Sequence, residues 1–198
     1  RILAGLLEPT AGEVRIAGID LFAHGPDAKR RIAYLPDRPH LYERLTAWEF
    51  LAFVASLWRL PRGSWEDRAR ENFARFGLRE ETEDLLETFS YGMRQKVCFT
   101  AGLIHDPVAW ILDEPMSGLD PRAAREMGRC LKEEAARGAG ILLSTHTLDL
   151  AVKLADRLLI LDEGSPVAEG TFAQLQIQAT EIARRSGPGP PAAGQSIE

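Results

Sequence analysis

The chain has 198 residues, 45% of them hydrophobic and 27% charged, enough for one domain with a sizeable core and too few for two comfortable ones. That ordinary composition excludes collagen-like, coiled-coil and wholly disordered chains. With 24 basic against 29 acidic residues the net charge is −5. This is the wrong sign for sequence-independent nucleic-acid binding, which neutralises phosphates, and no nucleic-acid partner is expected.

The first residues, Arg1 to Leu7, read as the last turns of a helix whose beginning is absent, so a truncated N-terminus is expected. Pro9 and Gly12 punctuate a turn. Val14 to Ala17 alternates as a half-buried strand, Gly18 to Leu21 continues a hairpin-like region, and Arg31 to Leu35 forms a second strand stopped by Pro36. A helix then opens at Thr46, with Glu49 completing a capping box and Leu45 and Phe50 as its hydrophobic staple. Ser64 is expected to cap another helix ending near Gly77.

From Ser90 to about Ile104 the pattern is helical again. Val108 to Leu112 is an unbroken apolar run, as in a strand covered on both faces of a parallel sheet. Asp120 caps a helix with Pro121 at its first position and Gly138 just past its end. Gly140 to Ser144 reads as another buried strand, Leu148 to Ala155 as a short helix, and Arg157 to Gly164 as a strand that turns back at Val167 and Ala168. The alternation predicts an α/β layer fold with a mostly parallel sheet. Residues 38–100 read as an inserted helical subdomain of a domain spanning 1–185, and 186–198 as a disordered tail.

Cys98 and Cys130 lack metal-ligand spacing and read as buried thiols in a reducing compartment. No apolar run approaches the roughly 18 residues of a membrane span, so any role at a membrane requires docking on a partner. His24, His40 and His105 lie in turn-like contexts and read as surface residues.

The chemistry concentrates at the end of the apolar strand, at Asp113 and Glu114. A parallel sheet delivers such residues to its carboxyl edge, where ligands bind. Two carboxylates there can divide the work, one holding Mg²⁺ and the other polarising water; the plainer alternative is a pair of acids facing solvent. The next strand delivers His146 through Ser144-Thr145, and Ser90-Tyr91-Gly92 opens a helix whose exposed N–H groups suit a phosphate. Ser90 and Asp120 also read simply as helix caps.

This ordered set resembles the ATP-binding subunit of ATP-binding-cassette (ABC) transporters over roughly residues 1–170. Phe89 to Met93 is similar to the signature motif, Val108 to Glu114 to Walker B with its following glutamate, Ser117 to Asp120 to the D-loop, and His146 to the switch histidine. The resemblance implies a P-loop NTPase-like sheet with flanking helices, an inserted helical subdomain and a partial N-terminal antiparallel β region. It implies Asp113 as the Mg²⁺-positioning carboxylate, Glu114 as general base and His146 as the γ-phosphate contact. Ser90 and Gly92 would then touch ATP held mainly by a second ATP-binding subunit, with Asp120 at the interface between the two. ATP and Mg²⁺ are the implied ligands, a transmembrane permease subunit the implied partner, and the inner face of the cell membrane the implied location. Residues Leu41 to Thr46 and the Ser90 to Gln95 segment are similar to the bacterial exporter branch.

Two departures matter. Asp37 stands where the family has a glutamine; it can ligand Mg²⁺ but cannot donate a hydrogen bond to water, and it also reads as a plain turn residue before Arg38-Pro39. No lysine follows a glycine, so these residues contain no G-x-x-x-x-G-K-[ST] phosphate loop, and poor ATP binding by the chain alone is expected. An alternative is a non-catalytic domain lending Ser90 and Gly92 to a complete partner. The docking surface is expected near residues 37–60, where the aromatics Trp48, Phe50, Phe53 and Trp58 read as core or as contact surface.

Overall fold

The computed structural model describes residues 1–78 and 81–177. They fall into two compact units, and the chain passes from the first to the second after His146. The expected tail at 186–198 lies outside the described residues.

In the first unit, β1 (Arg15–Ile16) and β2 (Ile19–Asp20) pair antiparallel around Ala17 and Gly18, both at positive φ, the backbone that a two-residue hairpin of the primed type requires. A short helix that periodicity does not signal, α1 (Gly25–Lys29), follows with Pro26 in its first turn. Strand β3 (Ile32–Leu35) ends at Pro36 as expected.

Three helices then precede the next strand. Helix α2 (Ala47–Leu57) carries the full capping box: Thr46 Oγ1 accepts from Glu49 N–H, and Glu49 accepts from Thr46 N–H. Leu45 and Phe50 join one apolar cluster, as the staple requires. Helix α3 (Glu66–Phe76) closes on Gly77 at φ 71. Its N-cap is Trp65, without a side-chain cap, and the expected cap Ser64 instead donates its hydroxyl to the Pro61 carbonyl; the local turn wins over the helix end. Helix α4 (Tyr91–Leu103) starts from Ser90, whose Oγ accepts from Met93 N–H at 3.3 Å.

Helix α4 is the hub. Val97, Ala101 and Ile104 enter one core with α2 and α3, while Phe99 and Leu103 enter a second with Trp110, Leu112 and Met127. Gly102 lets the Trp110 ring lie against the helix, for a Cβ there would stand 2.6 Å from the ring. Burial pushes the Cys98 thiol up to about 12 and that of Cys130 up to about 11, so both are inert.

Strand β4 (Ala109–Asp113) is central in a parallel sheet ordered β3-β4-β5, with β5 (Gly140–Ser144) beyond it. Between them runs α5 (Pro121–Ala136), capped by Asp120 and followed by Gly138 at φ 97. Two expectations need correcting. Trp110 and Leu112 are buried, but Ala109 and Ile111 are only half covered, so β4 is not sealed on both faces. Strand β5 is not buried either: among the described residues it pairs on one side only, and Leu142 is 51% exposed.

The second unit holds α6 (Leu148–Leu154) and an antiparallel hairpin of β6 (Leu158–Asp162) and β7 (Ser165–Gly170). Glu163 and Gly164, both at positive φ, make its turn.

The aromatics resolve mainly as core. Phe50 is buried, Trp48 stacks at 5.3 Å on Trp65, and Trp58 lies half-buried against His105, while Phe53 meets exposed Tyr42 edge-on. His24 and His40 are exposed as expected. His105 is not: Trp58 covers its ring, and burial pushes its pKa down to about 4.

Candidate functional site at the carboxyl edge of the sheet

Parallel pairing sets Asp113 opposite Ser144. The Ser144 hydroxyl donates to Asp113 Oδ1 at 2.5 Å, which orients an otherwise exposed carboxylate. One residue on, Glu114 leaves the strand with φ 46, a left-handed backbone that disfavours a side chain. Its N–H donates to the Ser144 carbonyl at 3.0 Å, so the turn is anchored to β5.

The Glu114 carboxylate is held at both oxygens. Oε1 accepts the His146 backbone N–H at 2.6 Å and faces His146 Nδ1 at 2.7 Å; Oε2 accepts the Thr145 hydroxyl at 3.0 Å. Partial burial works against its charge, yet the His146 ring, the His146 N–H and the Thr145 hydroxyl hold its pKa below the ordinary glutamate value. It is therefore an ionised base near neutrality. An ionised acceptor makes Nδ1 the donor, which leaves Nε2 of the mostly exposed His146 side chain to face outward.

The expected helix tip lies close by in the chain's own fold. Gly92 is buried on the turn after β4, and a Cβ on it would stand 2.5 Å from the Gly118 carbonyl oxygen. Tyr91 covers Gly118 with its ring and donates its hydroxyl to the Asp37 carbonyl oxygen. Ser90 is exposed at the α4 N-terminus, and Arg94 steadies the approach by binding the Phe89 and Glu87 carbonyls and Glu43. Asp120 accepts from Arg122 and Ala123 N–H as the cap of α5, and from Lys96 of α4 at 3.3 Å; those contacts lower its pKa.

So Glu114 and His146 are in direct contact, and Asp113 sits beside them on the paired strands. Gly92 and Asp120 are tied to the same turn, and Asp37 is linked to α4 through Tyr91. Among the described residues no three His, Cys, Asp or Glu side chains gather as a metal cage. Asp113, exposed and pre-oriented, nonetheless suits Mg²⁺, which is commonly held by one or two carboxylates with waters and phosphates completing its shell. Sequence reasoning missed Ser144, Thr145, Tyr91, Lys96 and Gln95 as partners. Only the two residues before His146 carried a signal, through the strand register.

The ABC transporter family model matches residues 1–117. The chain is 38% identical over 73% of its length to the uncharacterised ABC transporter ATP-binding protein YthP of Bacillus subtilis, covering 61% of that protein. It is 36% identical over 89% of its length to the daunorubicin/doxorubicin resistance ATP-binding protein DrrA of Streptomyces peucetius, covering 53% of it. The chain thus spans roughly half to three-fifths of the length of these curated relatives. A solved ATP-binding subunit of an ABC transporter superposes with a TM-score of 0.85 at 36% identity, covering 90% of this chain and 75% of that one.

Proposed function

The chain belongs to the ABC transporter family, among its ATP-binding subunits, and from that membership we propose that it forms the hydrolytic part of a subunit that spends ATP to drive a transporter. The observation that carries the reading is the Glu114 carboxylate, kept ionised and aimed by His146 and Thr145 at the carboxyl edge of the sheet.

A carboxylate offers about four lone-pair sites, and here His146 and Thr145 take three. The site left over, on Oε2, accepts a proton from the attacking water as it closes on the γ-phosphate, the general-base role. His146, tied at Nδ1, turns Nε2 toward the transferred phosphoryl group, and the ring carrying a proton on both nitrogens donates from Nε2 to the negative charge that develops there. Asp113 would hold Mg²⁺, with Asp37 near the end of the neighbouring strand as a second oxygen donor. The ion would supply Lewis-acid neutralisation of phosphate charge.

Ser90 and Gly92 at the α4 N-terminus would meet nucleotide bound mainly by a second ATP-binding subunit, with Asp120 at that interface. The phosphate loop is not among these residues, so they supply the water-activating edge and the signature helix rather than the phosphate cradle. No helix among the described residues is long and apolar enough to cross a membrane. A transmembrane permease subunit would then receive the motion at the cytoplasmic face, with exposed Tyr42, Phe53 and Leu57 on the expected docking segment.

Phosphate release from Mg·ATP by the whole gene product tests this reading. Turnover that stops when Mg²⁺ is chelated is expected. ATP binding with no phosphate released at any Mg²⁺ concentration would contradict it.

A further inference from the structure

We infer that Gln95, buried under the turn after β4, is a positioning residue that holds the water-activating Glu114 in place through the backbone on its far side. The inference rests on the reading of Glu114 as general base.

Gln95 lies on α4 with no exposed surface, so it cannot touch nucleotide or solvent. Its Nε2 donates to the Pro115 carbonyl at 3.3 Å and lies 3.5 Å from the Glu114 carbonyl. Both neighbours are acceptors, so the amide nitrogen must face them whichever way the amide is first placed. Its Oε1 is buried with no hydrogen-bond partner among the described residues. An orphaned buried acceptor costs about 1–3 kcal/mol, whereas an unbranched apolar chain of the same length would fill the space without it. Packing alone therefore does not account for an amide here, and its two donor hydrogens do.

Those donors act on a strained residue. Glu114 sits at φ 46, a conformation that persists only where its surroundings over-determine it. On one side its N–H is fixed to the Ser144 carbonyl. On the other, Gln95 fixes the carbonyls of Glu114 and Pro115. With both peptide planes held, the side chain leaves the backbone toward Thr145 and His146. Without Gln95 the second clamp is gone and the carboxylate is free to turn away from its water.

The test uses the whole gene product with Gln95→Met, Gln95→Glu and, as a control, Glu114→Gln. It reads Mg·ATP affinity and steady-state phosphate release from acid to alkaline pH. Gln95→Met should keep ATP affinity and KM and lose turnover by on the order of tenfold or more, since small misplacements of a reacting group are this costly. Gln95→Glu places a carboxyl where burial raises its pKa, and only its protonated form donates. Its turnover relative to wild type should therefore rise as pH falls, while the Gln95→Met ratio stays flat.

Wild-type turnover in Gln95→Met, with Glu114→Gln inactive, would overturn the inference and leave the general base standing. Wild-type turnover in Glu114→Gln would overturn the general base itself. Should Gln95→Met fold poorly, the Gln95→Glu ratio decides: a rise toward acid supports the clamp, and a flat ratio overturns it.

Discussion

Gly92 and Gly118 meet backbone to backbone, so that the first turn of α4 rests directly on the turn following β4; a Cβ on Gly92 would stand 2.5 Å from the Gly118 carbonyl oxygen. That carbonyl belongs to backbone and cannot swing aside. Gly92→Ala should therefore push α4 off the turn and destabilise the fold by about 1–3 kcal/mol, the usual penalty for overpacking. Urea unfolding measures it, and a loss no larger than that of an exposed alanine substitution would show that the contact yields.

Tyr91 contributes through two separable parts. Its ring covers Gly118, and its hydroxyl bonds the Asp37 carbonyl. Tyr91→Phe should lose only the hydrogen bond, about 1 kcal/mol. Tyr91→Ala should lose distinctly more, because the apolar cover goes as well. Equal losses in the two variants, read by chemical denaturation, would mean that the ring adds nothing.

His105 makes stability depend on pH. Its folded pKa, pushed down to about 4 chiefly by burial, lies below the ordinary value of 6.5. The unfolded chain thus takes up the proton first. The contribution is complete above about pH 6.5 and is lost progressively as pH falls toward about 4, in total on the order of 3 kcal/mol at most. His105→Phe should flatten that part of the unfolding free-energy profile between pH 7 and pH 4. An unchanged slope would assign the acid sensitivity to other groups.

Much of the fold was legible because it is written locally. The capping box at Thr46 and Glu49, the Asp120 cap with Pro121, and the Gly77 and Gly138 terminators each sit within a few residues of what they stop or start. The apolar runs that begin at Val108 and Gly140 announced strands, but covering both faces depends on neighbours distant in the chain, and β4 and β5 are less buried than those runs predict. Ser64 followed the grammar of a cap and was captured by Pro61 instead.

At the site, residue types and order pointed to Asp113, Glu114 and His146. What fixes them is long-range. Ser144 and Thr145 reach the acids only through the β4–β5 register, Gln95 reaches Pro115 only through the packing of α4, and Tyr91 reaches Asp37 across the whole helical segment. His105 was misplaced for the same reason, since Trp58 covers it from another helix.

The most direct measurement is single-turnover phosphate release beside equilibrium ATP binding for Glu114→Gln in the whole gene product. An amide keeps the shape and can still meet Thr145 and His146, but it cannot accept the water's proton. Release should fall by about a hundredfold or more, within the range for loss of a general base, while ATP binds as in the wild type. Release at the wild-type rate would show that Glu114 is not the base.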